Sequence, residues 1–456
     1  MKVHLLASAV FFIPAALFGA GDVTFYRDVL PVLQKKCQEC HRPGEAAPMS
    51  FLNYKDTRPW AAAIRQATVT RKMPPWHADP AHGRFSNDRR LSEQEIQTLE
   101  TWAKTGAKEG DAKDSPAPRE FAQGWTIGKP DVVLDIGTDF NVPAKGTVEY
   151  TYFAVPTHFT EDKWIEKIEV RPSARSVVHH IVLFARGPKA EFARQAKLGE
   201  GFVPPKRDDE KGKDGKRPAD TGEGFFYALA GAGTDRGVEM ISTYVPGGTP
   251  YLTLPGQARL LKAGSDLVFQ MHYTTNGKEA VDRSQVGIIF AKEPPKERVV
   301  NTFVVNDKFH IPPGDPNYLV NARVTVQSDV KLQSMFPHMH LRGKAMQYRA
   351  VYPTGESEIL LDVPKYDFNW QMTYFLDQPK MLPKGTRLEV AARYDNSPNN
   401  PYNPDPKADV YWGDQSWEEM LAAFVDFAIP VSMNPADIVK TPKPSQQQAA
   451  AAPKAE

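Results

Sequence analysis

Two histidines separated by a single residue, His338 and His340, lie in the stretch Met335-Phe336-Pro337-His338-Met339-His340-Leu341-Arg342-Gly343. In a strand, both imidazoles would point to the same face, because successive side chains alternate between the two faces. Both rings can then reach one metal ion while Met339 packs on the other side. A histidine pair on a solvated strand face gives the same pattern, so the spacing alone leaves both interpretations open.

A second motif, Cys37-Gln38-Glu39-Cys40-His41, has the C-x-x-C-H spacing of covalent haem attachment. Cys37 and Cys40 can form two thioether links to one haem c, and His41 can supply the proximal iron ligand. A disulfide beside a chance histidine is the alternative. These are the only two cysteines in 456 residues, so the rest of the chain must be stabilised by packing alone.

The residues around this motif, 22–112, have the pattern of a small helical domain. Apolar residues recur at helical spacing before Cys37, and Ser92 with Glu95 forms a capping-box pattern before a later helix. The stretch resembles the class I cytochrome c family. In that family a methionine from a proline-fixed loop commonly binds the iron, so the resemblance favours Met73 as the sixth ligand. The other candidates are Met49, His77 and His82.

The composition is that of a soluble globular protein, with 41% hydrophobic and 24% charged residues. A formal net charge of +1 gives no reason to expect a nucleic acid or an anionic membrane as a partner. The 40 prolines disfavour long helices as the main material of the fold and favour loops, edge strands and sandwich corners.

Residues 1–20 have the pattern of a secretory signal peptide, with a lysine, then an apolar run, then small residues. The run is too short to span a bilayer, and no later segment is apolar for long enough, so we expect no stable membrane span. The chain is therefore predicted to be periplasmic or secreted. Export favours haem attachment over a cytosolic redox dithiol as the role of the C-x-x-C-H motif.

Beyond a polar linker at 113–128, the hydrophobic pattern changes to short strands separated by turns rich in proline and glycine. The predicted fold is a small all-α domain followed by two all-β sandwich domains, at 129–295 and 296–437. A low-complexity stretch at 438–456 is predicted to be a disordered tail. The predicted strands include Val177–Phe184, Asp266–Tyr273, Val299–Val305 and Arg387–Tyr394.

Seven histidines fall in the two predicted β domains, and several have apolar neighbours, where an unpaired imidazole would be costly to bury. His179 and His180 are adjacent, and His272 lies in the apolar stretch Phe269–Tyr273. Adjacent residues of a regular strand point to opposite faces. His179 and His180 can therefore bind one metal only at a bulge, a twist or a strand end, and ordinary strand positions are the alternative.

Four motifs occur in order along the two β domains: His179-His180, Met271-His272-Tyr273, His338-Met339-His340 with the residues that follow it, and Glu418-Glu419-Met420. This arrangement resembles the type II copper monooxygenases, the family of the peptidylglycine and dopamine β-monooxygenases. The resemblance covers about 125–435. Two further stretches look familial: Tyr366–Gln371 and Arg393–Ser397.

The resemblance implies two copper ions, one in each of two jelly-roll-like sandwich domains, that face one cleft. His179, His180 and His272 would bind the first copper, which stores and delivers an electron. The catalytic copper would be bound by the ligands His338, His340 and Met420. Three imidazoles alone suit zinc equally well, whereas a thioether beside two imidazoles favours Cu(I). Core packing is the alternative role for the methionine.

The activity implied is hydroxylation of a C–H bond in a small-molecule or peptide-like substrate by dioxygen. The attached haem is predicted to relay electrons from an external donor. A non-catalytic periplasmic electron-transfer or copper-binding haem protein is the alternative, as is a structural sandwich that carries a haem. The animal enzymes are rich in disulfides, whereas these β domains contain no cysteine. A peptide substrate would require a cation for its carboxylate, and Arg342 and Arg393 fit that role and a surface position equally well.

Overall fold

A computed structural model of the protein describes residues 22–122, 124–190, 193, 195–203 and 237–442. The predicted signal peptide and the predicted tail from residue 443 lie outside these residues. Among the described residues, 37% are in strands and 13% are in helices. This confirms the prediction of a mostly β protein with β-sandwich character.

Contacts between backbone positions divide the chain into two compact units. The described residues of the first unit are helical and comprise 22–38, 49–74 and 91–119. Its elements are a π-helical turn at Phe25–Val29, α1 (Leu30–Lys36), α2 (Tyr54–Thr57), α3 (Ala61–Val69) and α4 (Glu93–Lys104), with 3-10 turns at Arg58–Trp60 and Ala112–Asp114.

The capping box predicted before the last helix is present. The Ser92 side chain accepts the Glu95 backbone N–H, and the Glu95 carboxylate accepts the Ser92 backbone N–H, so two unpaired donors at the start of α4 are satisfied. The apolar face of α4 then buries Leu99 and Trp102 against Phe25 and Leu33. The helical unit therefore has a core of its own.

The second unit comprises 39–48, 75–90 and the described residues from 120 to 442. Two stretches of the predicted domain 22–112 therefore group with the strands. The domain boundaries given by the sequence stay predictions, because the contacts place both predicted β domains in this one unit.

The unit contains 22 described strands. In the first half they are β1 (Val132–Asp135), β2 (Phe140–Val142), β3 (Thr151–Pro156), β4 (Lys163–Arg171), β5 (Val178–Arg186), β6 (Val238–Tyr244), β7 (Tyr251–Leu252), β8 (Gln257–Leu261), β9 (Asp266–Tyr273), β10 (Ala280–Asp282) and β11 (Gln285–Phe290). In the second half they are β12 (Glu297–Val305), β13 (His310–Ile311), β14 (Tyr318–Val326), β15 (Val330–His338), β16 (Gly343–Val351), β17 (Ser357–Val363), β18 (Tyr374–Leu382), β19 (Arg387–Tyr394), β20 (Val410–Tyr411), β21 (Ala422–Pro430) and β22 (Val439–Lys440). Short 3-10 turns lie at Phe368–Trp370 and Pro435–Asp437.

Three main sheets build the unit. A nine-stranded sheet has the order β1-β11-β4-β8-β12-β21-β15-β18, with β7 beside β4. A four-stranded sheet, β3-β9-β5-β6, lies in the first half, and a five-stranded sheet, β17-β16-β19-β14-β22, lies in the second. The parallel pairing of β12 with β8 joins the two halves of the nine-stranded sheet.

Two apolar cores fill the space between the sheets. One contains side chains of β3, β5 and β9 together with side chains of β4 and β11, so the four-stranded sheet packs on one end of the large sheet. The other contains side chains of β14, β16 and β19 together with side chains of β15 and β21. Both faces of β5 and β21 are buried, because each of these strands contributes side chains to both cores.

The predicted tail begins too early. Ile438 is buried, and Val439–Lys440 form β22, whose register pairs it with the end of β14 at Thr325 and Val326. The physical reason is that Ile438 and Val439 are apolar and continue the core, whereas the low-complexity residues follow them.

Candidate metal centre

An irregularity in β5 brings three histidines together. Val178 pairs with Tyr273 on β9, and His180 pairs with His272, so His179 is an extra residue on β5. This is a β-bulge, which disrupts the strict alternation of side chains and re-aims the residues beside it. The bulge is one of the conditions under which the sequence allowed the adjacent histidines to share a metal.

The three rings lie close enough for one ion. The Nδ1 atom of His179 lies 3.0 Å from Nδ1 of His180 and 3.1 Å from Nδ1 of His272. One ligand atom from each ring can be chosen so that all three lie within 4.8 Å of one another. Among the described residues, this is the one group of histidine, cysteine and acidic side chains with that geometry.

The surroundings keep these imidazoles neutral, which is the form that binds metal. Burial lowers the pKa of all three, and for His180 and His272 the neighbouring histidines lower the pKa further. The Nε2 atom of His180 is buried and has no hydrogen-bond partner among the described residues. Burying a nitrogen without a hydrogen-bond partner costs free energy, and binding a metal would remove that cost.

The second predicted group lies at the junction of β15 and β21. His338 ends β15 and pairs with Ala422, and its ring centroid lies 5.2 Å from that of His340. If the antiparallel register continues for two more residues, Met420 lies opposite His340. Directly opposed residues share a face, so the register favours Met420 on the face of both histidines. Met420 is fully buried.

Gln371 fixes the orientation of one ring. The Oε1 atom of Gln371 lies 2.6 Å from Nδ1 of His338, and the amide nitrogen of Gln371 donates to the Phe368 carbonyl at 3.2 Å. Since an amide oxygen only accepts, Nδ1 of His338 carries the hydrogen and Nε2 is left for a metal. Burial lowers the pKa of His338 to about 4, although this bond raises it.

Glu419 ties the two remaining candidate ligands to one carboxylate. Its Oε2 accepts the backbone N–H groups of His340 at 3.0 Å and Met420 at 3.2 Å, and its Oε1 accepts that of Arg342 at 2.6 Å. Complete burial raises the pKa of Glu419 to about 7, and the three N–H groups oppose that rise. The carboxylate therefore sets the relative position of two chain segments.

Two aromatic rings touch both histidine groups. The Tyr150 centroid lies 4.8 Å from that of His272 and 6.3 Å from that of His340. The Phe368 centroid lies 5.5 Å from that of His179 and 6.5 Å from that of His340. The two groups are thus separated by little more than one aromatic layer.

Arg342 is not a surface charge. Its side chain is 1% exposed, and its guanidinium donates to Asn396 Oδ1 at 2.7 Å and to the Trp417 carbonyl at 2.8 Å. These buried acceptors already satisfy the guanidinium, so Arg342 does not fit the binding of a substrate carboxylate. The sequence left two roles open for Arg342, a cation for a substrate carboxylate and a surface charge, and neither fits its burial, because its acceptors come from distant loops.

The haem motif follows α1. Cys37 caps the end of that helix, and Cys40 lies in the segment Glu39–Pro48 of the second unit. The assignment of Cys37 and Cys40 as haem-attachment residues stays a prediction. Met73 belongs to the helical unit, and its assignment as sixth ligand stays a prediction. The other candidates are Met49 in the helical unit and His77 and His82 in the second unit.

Sequence reasoning assigned no role to Tyr150, Gln371 or Glu419. Gln371 and Glu419 lie in stretches that resemble the copper monooxygenase family, and this resemblance was the only sequence feature that could have pointed to their roles. Tyr150 had none, because it precedes a strand and becomes a neighbour of His272 only through the pairing of β3 with β9.

No family model matches the chain, and no curated protein matches it. Solved structures with some similarity include those of the infectious bursal disease virus Gx strain and of the infectious bursal disease virus VP2 subviral particle. Each has 8% sequence identity and a TM-score of 0.19, over 70% of this chain and 76% of the other. A TM-score this low supports no inference about fold or function.

Within the described residues, no helix is both long and apolar enough to cross a membrane.

Proposed function

We propose that this protein is an exported copper-dependent monooxygenase that hydroxylates a C–H bond with dioxygen and receives electrons through a covalently bound c-type haem. The observation that carries the proposal is the bulge in β5, which gathers His179, His180 and His272 within ligand distance of one another. A second histidine pair, His338 and His340, lies across the shared rings of Tyr150 and Phe368. The fold proposed is a cytochrome c-like domain followed by two jelly-roll-like sandwiches.

The donor sets suit copper. Three neutral imidazoles are good copper ligands, and a thioether beside two imidazoles selects Cu(I) over zinc. His179, His180 and His272 would hold one ion, and His338, His340 and Met420 would hold the other. When bound, the second copper would activate dioxygen for C–H hydroxylation, while the first copper and the haem would supply electrons.

The protein residues have separate tasks. Gln371 holds the proton on Nδ1 of His338 and leaves Nε2 for the metal. Glu419 accepts the backbone N–H groups of His340 and Met420, and this holds the two chain segments that carry these ligands together. The rings of Tyr150 and Phe368 contact both histidine groups and so help to position them relative to each other.

Haem attachment rests on Cys37, Cys40 and His41. The C-x-x-C-H spacing supports it. The fused haem would take the place of a diffusible reductant such as the ascorbate used by the animal enzymes. The substrate class stays a small-molecule or peptide-like compound with an accessible C–H bond.

The test is hydroxylation under ¹⁸O₂ by the haem- and copper-loaded protein with two probe substrates, dopamine and a peptide that ends in glycine. The proposal expects one ¹⁸O atom in the product of at least one probe, and loss of that product in His340→Ala. His310→Ala is the matched control, because His310 is an exposed histidine paired with Asp409 outside both groups. Redox cycling of the haem and copper with no labelled product from either probe would favour the non-catalytic electron carrier.

A further inference from the structure

The bulge end of β5 is also a docking point for the segment that carries the second half of the haem motif. Arg175 lies four residues before His179 and forms an ion pair with Glu45. The same carboxylate accepts Arg42 at 2.9 Å. The three side chains are only 15–21% exposed, so this is a largely desolvated network and not a pair of solvated surface charges.

A second contact lies beside it. A Cβ atom built on Gly247 would clash with Sγ of Cys40, so the sulfur packs against the glycine backbone, and Gly247 has a φ of +69°. Arg89 secures the same turn by donating to the Gly247 carbonyl at 2.8 Å. A larger residue at position 247 would push Cys40 away.

These contacts place Cys40 near the three-histidine cluster. Tyr244 pairs with Ile181, the residue that follows His180. Gly247 is three residues beyond Tyr244, and three residues span at most about 10 Å. Both contacts of residues 39–48 therefore converge on the end of the β5–β6 pair where the histidine bulge lies.

We propose that the ion pairs of Glu45 with Arg175 and Arg42, together with the Cys40–Gly247 contact, dock the haem-attachment segment so that electrons enter the copper pair at His179, His180 and His272. One electron would leave ferrous iron, giving ferric iron, and reduce one Cu²⁺ to Cu⁺ at this cluster. An external one-electron donor then returns the iron to its ferrous state. The inference rests on the proposed function for the presence of haem and copper.

The first test uses charge reversal in the holoprotein. The haem is reduced photochemically under anaerobic conditions, and its reoxidation by Cu²⁺ is followed by absorbance. Arg175→Glu should slow reoxidation by about tenfold or more, and so should Glu45→Arg. The double variant, in which the two charges are exchanged, should recover most of the wild-type rate. An unchanged rate in Arg175→Glu would overturn the proposal.

The entry point is tested by ligand variants. In His338→Ala, reoxidation of the haem should be slowed less than in His272→Ala, because the three-histidine cluster is intact. In His272→Ala, reoxidation should be at least about tenfold slower. Equal rates in these two variants, or the opposite order, would contradict entry at the three-histidine cluster.

A third measurement needs no copper. Amide hydrogen exchange in residues 39–48 should be faster in Arg175→Glu than in the wild type, and the double variant should reverse this.

A failure of the proposed function can be distinguished from a failure of the docking role. If neither probe gives a labelled product while haem reoxidation is normal, only the monooxygenase proposal is contradicted. Conversely, Arg175→Glu could keep both ascorbate-driven hydroxylation and the wild-type rate of haem reoxidation. That result would contradict the docking role and leave the monooxygenase proposal standing.

Discussion

His180 faces His272 across the β5–β9 ladder, and the residue inserted beside that pair is a third histidine, His179. A regular strand would turn His179 to the opposite face of the sheet. The extra residue removes this alternation over one step, and the Nδ1 atoms of His179 and His272 lie 3.1 Å apart. A three-imidazole site thus depends on a one-residue irregularity in the strand pairing.

Removing His272 should abolish one copper site and spare the other. His272→Ala leaves two adjacent imidazoles and no third ligand, so we expect copper content after reconstitution and dialysis to fall from about two to about one per chain. Metal analysis of the purified variant measures this, and His310→Ala should keep two. A His272→Ala protein that retains two ions would exclude the three-histidine cluster as a copper site.

Glu419 should support copper binding by holding together the two chain segments that carry His340 and Met420. Glu419→Gln replaces an oxygen that accepts an N–H with an NH₂ group, which leaves a buried donor facing a donor, at a cost of about 1–3 kcal/mol. The free energy of unfolding should fall by that amount in urea titrations. In the variant, copper should be lost from the His338–His340 site before it is lost from the three-histidine site. Glu418→Gln, at the half-buried neighbouring acid, is the control and should change neither quantity; equal effects of the two variants would show that Glu419 has no special role.

Gln371 should set copper affinity through the tautomer of His338. Gln371→Leu removes the acceptor for Nδ1, and we expect copper affinity at this site to fall by about 10- to 100-fold. Competition with a Cu(I) chelator measures the change. Gln371→Glu keeps an acceptor and should retain affinity. If both variants bind copper as the wild type does, the hydrogen bond does not orient the ligand.

Acid should destabilise the copper-free protein before it protonates the site. The pKa of His338 is lowered by burial to about 4, against 6.5 when exposed. Between about pH 6.5 and pH 4 the unfolded chain therefore takes up a proton that the folded protein does not. The contribution of His338 to stability is present above pH 6.5 and is lost as the pH falls, by about 3 kcal/mol at pH 4.

The measurement is urea unfolding of the copper-free wild type and of His338→Asn between pH 7 and pH 4. The wild type should lose more stability than the variant over this interval, because the variant has no imidazole to protonate in its unfolded state. Parallel pH profiles of the two proteins would show that the folded protein binds this proton as readily as the unfolded chain.

Part of the fold is predictable because local pattern decides it. Strands β9 and β19 have the bounds that alternation and turn residues predicted, Asp266–Tyr273 and Arg387–Tyr394. The capping box at Ser92 is likewise local. Strand β21 was not predicted, because its apolar residues run continuously and its one acid, Asp426, reads as a break. Asp426 is buried because Arg259 donates to it at 2.6 Å from a distant strand.

The candidate site divides in the same way. The histidines were recognisable as candidate ligands by their residue type. The sequence also indicated that His179 and His180 could share a metal only at a bulge or another irregularity. The bulge itself depends on the register between β5 and β9, which single-sequence patterns do not specify. The contacts of Gln371 with His338 and of Glu419 with His340 likewise join residues 33 and 79 positions apart, so no local pattern reveals them.

The most direct test of the account is X-ray absorption of the reduced, copper-loaded protein, recorded for the wild type and for Met420→Ala with metal content measured on the same samples. The account predicts about two copper ions per wild-type chain, a Cu(I)–sulfur contribution at one of them, and loss of that contribution in Met420→Ala with imidazole ligation retained. Copper that binds with no sulfur ligand in the wild type would contradict the assignment of Met420, and a wild-type protein that binds no copper would contradict the proposed function.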